Sequence, residues 1–236
     1  MDQTYFNRLA AAFVRGKLQG EPAAEAHLEL FTRPLDQLAG DELQGLIQLG
    51  LASDLRLHKF KRTLDLARVR SVLGILRALQ PAELLDIGSG RGAFLWPLLD
   101  AYPGLPVTAV DLLERRVADI EAVRRGGVDQ VRALHADATT LEFSDGSFDV
   151  VTMLEVLEHI PATARALAEV CRVARRALVL SVPSKPDNNP EHVHLFDQAS
   201  LTARLREAGA ERVNVSYVHN HMIVVASLAN SVKRKT

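Results

Sequence analysis

The chain has 236 residues, 47% hydrophobic and 24% charged, with a formal net charge of −1. That length suits one large domain, or a domain with an appendage, and the near-zero charge gives no global field directed at nucleic acid or a membrane. The lone cysteine, Cys171, excludes an internal disulfide and favours a reducing compartment.

The N-terminal segment MDQTYFNRLAAAFVRGKLQG lacks an apolar core followed by a small-residue cleavage site, so no signal peptide is expected. No run of eighteen apolar residues is present, so no membrane-spanning helix is expected and the expected location is the cytoplasm.

Residues 1–64 read as a helical extension. TYFNRLAAAFVRGKL is rich in helix formers. PAAEAHLELF starts on Pro22, a residue suited to a first helical turn. DELQGLIQLGL follows with Asp41 as the expected cap. Next, LARVRSVLGILRAL carries Leu66, Val69, Leu73 and Leu76 at helical spacing and stops before Pro81.

From residue 82 the pattern alternates. ELLDIG reads as a strand, GAFLWPLLDAY as a helix distorted or started at Pro97, and PVTAVD as a strand. LLERRVADIEAVRRGG is an amphipathic helix with a glycine stop. VRALHAD and SDGSFDVVTML are strands, ATARALAEVCRVA a helix, RALVLSVP a strand and ASLTARLREAGA a helix. ERVNVSYVHNHMIVVASL reads as two strands with a short connection, and the tail VKRKT as frayed. The expectation is an α/β fold over residues 65–236: a doubly wound, seven-stranded, mostly parallel sheet with one antiparallel C-terminal strand.

DIGSGRG places Gly88, Gly90 and Gly92 between a strand and a helix, in GxGxG spacing, where glycine lets a ligand approach the backbone. Nineteen residues beyond Gly92, Asp111 ends the next strand. There an acidic side chain can accept hydrogen bonds from both hydroxyls of a ribose. HADA adds Asp137 at the end of the third strand, placed for an adenine amino group.

ELLDIGSGRGAF, then AVD, then HADATTLEFSDGSFDVVTMLEVLEHI resemble the successive motifs of class I S-adenosylmethionine-dependent methyltransferases, over roughly residues 65–228. The resemblance implies a Rossmann-like fold and S-adenosylmethionine as methyl donor. It implies Asp86, Gly88, Ser89, Gly90 and Gly92 at the methionine end, Asp111 and Leu112 at the ribose, Asp137 and Ala138 at the adenine, and Leu154 with Glu155 beside the sulfonium. An NAD dehydrogenase is the alternative of similar fold, disfavoured by the GxGxG spacing and the SDGSFDVV segment.

EVLEHI leaves the fourth strand and EHVHLF follows the fifth, so both belong at the same mouth. In one reading the segment holds no metal, and His159 or a glutamate, Glu155 or Glu158, positions the substrate or packs against the cofactor loop. In the other, Glu155, Glu158, His159 and His194 hold a divalent cation such as magnesium or manganese. That pattern resembles the Hen-type enzymes that methylate RNA ends and the ubiquinone-pathway O-methyltransferases. Asp197 stands where the Hen-type motif has tryptophan. The resemblance implies methylation of a hydroxyl on a small molecule or an RNA terminus, with the metal lowering the hydroxyl pKa and His159 or His192 taking the proton. Metal-free N- or C-methylation and a non-catalytic cofactor-binding scaffold are the alternatives. Neither membrane nor DNA is expected as a partner.

RLHKFKRTLDLARVR holds Arg56, Lys59, Lys61, Arg62, Arg68 and Arg70 against Asp65. A solvated face is the favoured reading, and a contact for a phosphate-bearing substrate or RNA backbone the other. RRVADIEAVRR reads as surface, and Phe60 and Trp96 as core. SVPSKPDNN fits a lid or substrate loop.

Overall fold

The computed structural model describes residues 5–62, 66–186 and 188–228. The expected boundary at 64/65 and the tail VKRKT lie outside the described residues. Helices α1 (Asn7–Leu18), α2 (Pro22–Glu25), α3 (Leu28–Thr32), α4 (Gly40–Ala52) and α5 (Ala67–Leu79) precede the sheet. Then come β1 (Leu84–Ile87), α6 (Leu95–Ala101), β2 (Val107–Asp111), α7 (Glu114–Arg125), β3 (Val131–His135), β4 (Phe148–Leu154), α8 (Thr163–Val173), β5 (Ala174–Pro183), α9 (Gln198–Glu207), β6 (Ala210–Val218) and β7 (His221–Leu228).

The sheet order is β3-β2-β1-β4-β5-β7-β6. The β1, β2, β3, β4 and β5 pairings are parallel, and β7 runs antiparallel to both β5 and β6. This is the expected fold class. β1 and β2 are buried throughout, as strands covered on both faces must be.

Side chains alternate between the two faces of the sheet. Leu84, Val107, Ala109, Val131, Val150 and Val179 point to one face, into a core shared with α1, α4, α5, α6 and α7. Leu85, Ile87, Val110, Val151, Met153 and Leu180 point to the other, against α8 and α9. The N-terminal helices therefore share the core of the sheet. α1 is buried nearly all round, with Leu9, Ala10, Ala11, Ala12, Phe13 and Val14 covered. It lies so close to α7 that a Cβ on Gly16 would fall 1.8 Å from the Ala122 carbonyl oxygen.

Three local expectations are resolved. Asp41 is not a cap: Ala39 occupies that position, and its N–H donates to Glu42 Oε2 at 2.7 Å. Asp41 instead lies in the first turn, where its charge favours the helix dipole. Pro97 sits in the first turn of α6, where its missing N–H costs no helical bond. Phe60 is fully buried, with ring centroids 5.2 Å from Phe13 and 4.9 Å from Trp96, so it belongs to the core. Cys171 is also buried, in α8.

Candidate active site

The strand order reverses between β1 and β4. Their following loops diverge there and leave a crevice at the carboxyl ends of the strands. Asp86, in β1, sits at its floor and is 2% exposed. Its Oδ2 accepts from Ser89 Oγ and its Oδ1 from Thr152 Oγ1, both at 2.7 Å. Burial pushes its pKa up to about 6; the two hydroxyls oppose the shift and nearby Asp111 adds to it.

The glycine loop is shaped by backbone contacts. Gly88 N–H donates to the Val110 carbonyl at 2.8 Å, turning the chain across β2. Gly88 has φ +69°, and a Cβ there would lie 2.4 Å from Val156 Cγ2, so glycine is needed on both counts. Gly90 N–H donates to Asp111 Oδ2 at 2.8 Å, while Asp111 Oδ1 accepts from Leu113 N–H at 2.9 Å. The carboxylate is fixed by two backbone donors and keeps lone pairs for further donors. A cavity of about 180 Å³ lies against this loop, lined among others by Arg68, Asp86, Gly88, Ser89, Leu154 and Glu155.

Further along the strand ends, Leu112 is 61% exposed and Ala138 buried. His135 Nε2 lies 2.8 Å from the Leu112 carbonyl, tying the ends of β2 and β3 together. Asp137 Oδ1 accepts from Thr139 N–H and Oγ1, both at 2.8 Å, and these bonds hold its carboxyl below the usual range.

Glu155 follows β4 with φ 57°, a strained value for a side-chain-bearing residue. Its N–H donates to the Ser181 carbonyl at 3.0 Å, its Oε1 accepts from Ser181 Oγ at 2.6 Å, and its Oε2 lies 3.1 Å from His221 Nε2. Because the carboxylate can only accept, Nε2 carries the proton and Nδ1 is the lone-pair nitrogen of the neutral ring. The antiparallel register pairs Pro183 with His221 and so delivers His221 to the mouth.

EVLEHI and EHVHLF meet. Val193 and His194 both donate their N–H groups to the Glu158 carbonyl, at 2.9 and 3.2 Å. Glu158 is fully buried. The His159 and His192 rings meet edge to face at 4.7 Å. Ligand atoms of Glu158, His159 and His192 all lie within 4.8 Å of one another. His159 Nδ1 lies 3.0 Å from the Glu191 carbonyl, which fixes the proton on Nδ1 and leaves Nε2 as the lone-pair nitrogen of the neutral ring. Two members of the expected ligand set fall outside this group. Glu155 is turned to Ser181 and His221, while His194 Nε2 faces the Pro161 carbonyl at 3.4 Å. His192, which sequence reading gave only a proton-transfer role, takes the third place.

Sequence reading missed His221 and Ser181. The histidines of VHNHM were the available signal, but the register that brings His221 to Glu155 is a tertiary property.

Residues 85–180 match a family model described as a methyltransferase domain. A malonyl-[acyl-carrier protein] O-methyltransferase of Geobacter sulfurreducens is 33% identical over 48% of this chain and 41% of its own length. A demethylmenaquinone methyltransferase of Thermus thermophilus is 31% identical over 62% of each. The chain thus spans less than two thirds of these relatives. Among solved structures, a SAM-dependent methyltransferase of Aquifex aeolicus is 21% identical, with TM-score 0.56 over 71% of this chain and all of that one. The fold is the Rossmann-like fold of such methyltransferases.

Proposed function

We propose that this chain binds S-adenosylmethionine in the crevice between β1 and β4 and transfers its methyl group to an oxygen of a small molecule. The observation that carries this reading is the fixed Asp111 carboxylate beside the glycine loop at the switch point of the sheet. The matched family model and the relatives' names agree with methyl transfer, and the G. sulfurreducens relative is named as an O-methyltransferase. A small-molecule acceptor is preferred to an RNA end because the relatives are named for malonyl-[acyl-carrier protein] and demethylmenaquinone, and neither name refers to RNA.

The residues fit the donor. Gly88 would let it reach the backbone, Asp86 faces the position of its ammonium and Asp111 that of its ribose hydroxyls. Leu112 would flank the ribose beside Asp111, Asp137 and Ala138 would meet the adenine, and Leu154 with Glu155 would border the sulfonium. S-adenosylmethionine supplies an electrophilic methyl on a positively charged sulfur. The chain orients the acceptor for in-line attack, at about 3–3.5 Å. The Glu155–His221 pair receives the acceptor's proton at His221 Nδ1, with Glu155 stabilising the imidazolium. Residues 1–64 serve as a helical cap, and the single cysteine is consistent with a cytoplasmic location.

A second reading adds a divalent cation, on the convergence of Glu158, His159 and His192. One carboxylate and two imidazoles suit a first-row ion. They would hold it at the mouth, where it would supply Lewis acidity that lowers the pKa of an acceptor hydroxyl.

The reading is tested by incubating the protein with methyl-labelled S-adenosylmethionine and a panel of phenol, enol and carboxylic acid acceptors. Label transferred to oxygen supports it. S-adenosylhomocysteine binding with transfer only to carbon or nitrogen would overturn the oxygen assignment.

A further inference from the structure

A second cavity, of about 190 Å³, adjoins the glycine loop on its α7 side. Its wall carries Arg56, Lys59, Arg91, Arg115 and Arg116, drawn from three separate parts of the chain. Its one carboxylate, Asp119, is already shared between Lys59 and Lys17. Among the described residues, none of the four arginines forms a salt bridge. The Arg116 guanidinium is held below its usual range by burial, and the charges of Arg91 and Arg115 add to that against the attraction of Asp111 and Asp119. Gathering five cations around one already-shared carboxylate costs free energy that a bound anion would return.

We propose that this cavity is a phosphate-binding site. Guanidinium groups approaching from several directions match the oxygens of a tetrahedral phosphate, each able to accept a forked pair of bonds. A carboxylate, with two oxygens in one plane, would leave most of these donors unused. The site is separate from the crevice below Gly88 and touches it only through Gly90 and Arg91. Its ligand sits beside the proposed ribose position, so a phosphate-bearing acceptor or a free phosphate ion can occupy it together with the methyl donor. The basic stretch singled out in the sequence thus acts through Arg56 and Lys59, while Phe60 is buried against Phe13 and Trp96.

Trp96, the chain's only tryptophan, lines this cavity and donates its Nε1–H to the Arg91 carbonyl at 2.9 Å. Its fluorescence therefore reports occupancy. Orthophosphate and glycerol 3-phosphate are titrated separately into the full chain, with sodium chloride at matched ionic strength as control. The expected result is a saturable change with phosphate and none with chloride. In Arg56→Ala/Arg115→Ala, both sites being exposed, the affinity falls at least about tenfold, the scale of losing charge-assisted hydrogen bonds. A response to orthophosphate alone marks a free-ion site, and a response to both marks a site for the phosphate of a larger ligand. No response, or an equal response to chloride or in the variant, overturns the proposal. S-adenosylhomocysteine calorimetry on the same variant is expected to be unchanged, which separates this result from the fate of the methyltransferase reading. Single variants at either position keep the test open if the pair unfolds.

Discussion

Glu155 Oε2 and His221 Nε2 lie 3.1 Å apart, joining the residue that follows β4 to the first residue of the last strand. The contact holds a carboxylate and an imidazole at the crevice mouth, on a residue whose φ of 57° is kept by the Ser181 bonds. If the pair accepts the acceptor's proton, His221→Phe lowers kcat by about 100-fold or more. Glu155→Gln does the same, and the double variant is no worse than the worse single one. S-adenosylhomocysteine affinity stays within about threefold of wild type, since the reporter of cofactor binding is Asp111. Multiplicative losses in the double variant would show that the two residues act separately.

Asp86 makes a pH prediction. Its folded pKa of about 6 exceeds the ordinary 3.8, so between these values the folded state holds a proton that the unfolded state lacks. Its contribution to stability is complete below about pH 4 and is lost as pH rises through about 6, by roughly 3 kcal/mol in all. Asp86→Asn removes that dependence. Urea unfolding should show the variant gaining about 1–3 kcal/mol on wild type between roughly pH 4 and pH 7.5. A constant difference would refute the raised pKa.

Asp86 also bears on the ligand. An ammonium placed beside it lowers its pKa, so binding near pH 6 releases a proton. Calorimetry of S-adenosylhomocysteine in buffers of different ionisation enthalpy should detect that release in wild type and not in Asp86→Asn.

The close approach of α1 to α7 sets a stability prediction. Gly16→Ala would push a methyl against the Ala122 carbonyl, where backbone on both sides cannot yield. The expected cost is about 1–3 kcal/mol in chemical unfolding. A neutral outcome would mean that the helical cap packs less tightly on the domain than described.

The metal reading separates two neighbouring histidines. Calorimetric titration of cobalt(II) or manganese(II) into the protein without donor or acceptor should lose at least about tenfold in affinity in His192→Ala and little in His194→Ala. The reverse order would restore the ligand set read from the sequence. Equal and negligible binding in all three proteins would remove the cation from the proposed mechanism.

The sequence made the strand–helix alternation legible because each buried strand is a short apolar run closed by a turn residue. LLDIG and VTAVD carry their own endings, so Gly88 and Asp111 could be placed at the strand ends without coordinates. EVLEHI and EHVHLF could be brought to one mouth by the same logic, and the Glu158 carbonyl does join them. Side-chain directions were not legible. Glu155, Glu158 and His159 look equivalent on a helix, but the segment forms a short 3-10 turn after a left-handed residue, which sends Glu155 to His221 and leaves Glu158 buried. Nor could the spacing reveal that Arg115 and Arg116, read as surface, border the same cavity as Arg56.

On the proposed function, the crevice between β1 and β4 holds the methyl donor through Asp111. Calorimetric titration of S-adenosylhomocysteine into wild type and Asp111→Ala decides whether it does. Saturable binding by wild type, weakened at least about 100-fold by the substitution, is the expected result, since the variant loses both charge-assisted ribose bonds and the anchor of Gly90. No binding to wild type, or equal affinity in the two proteins, would contradict it.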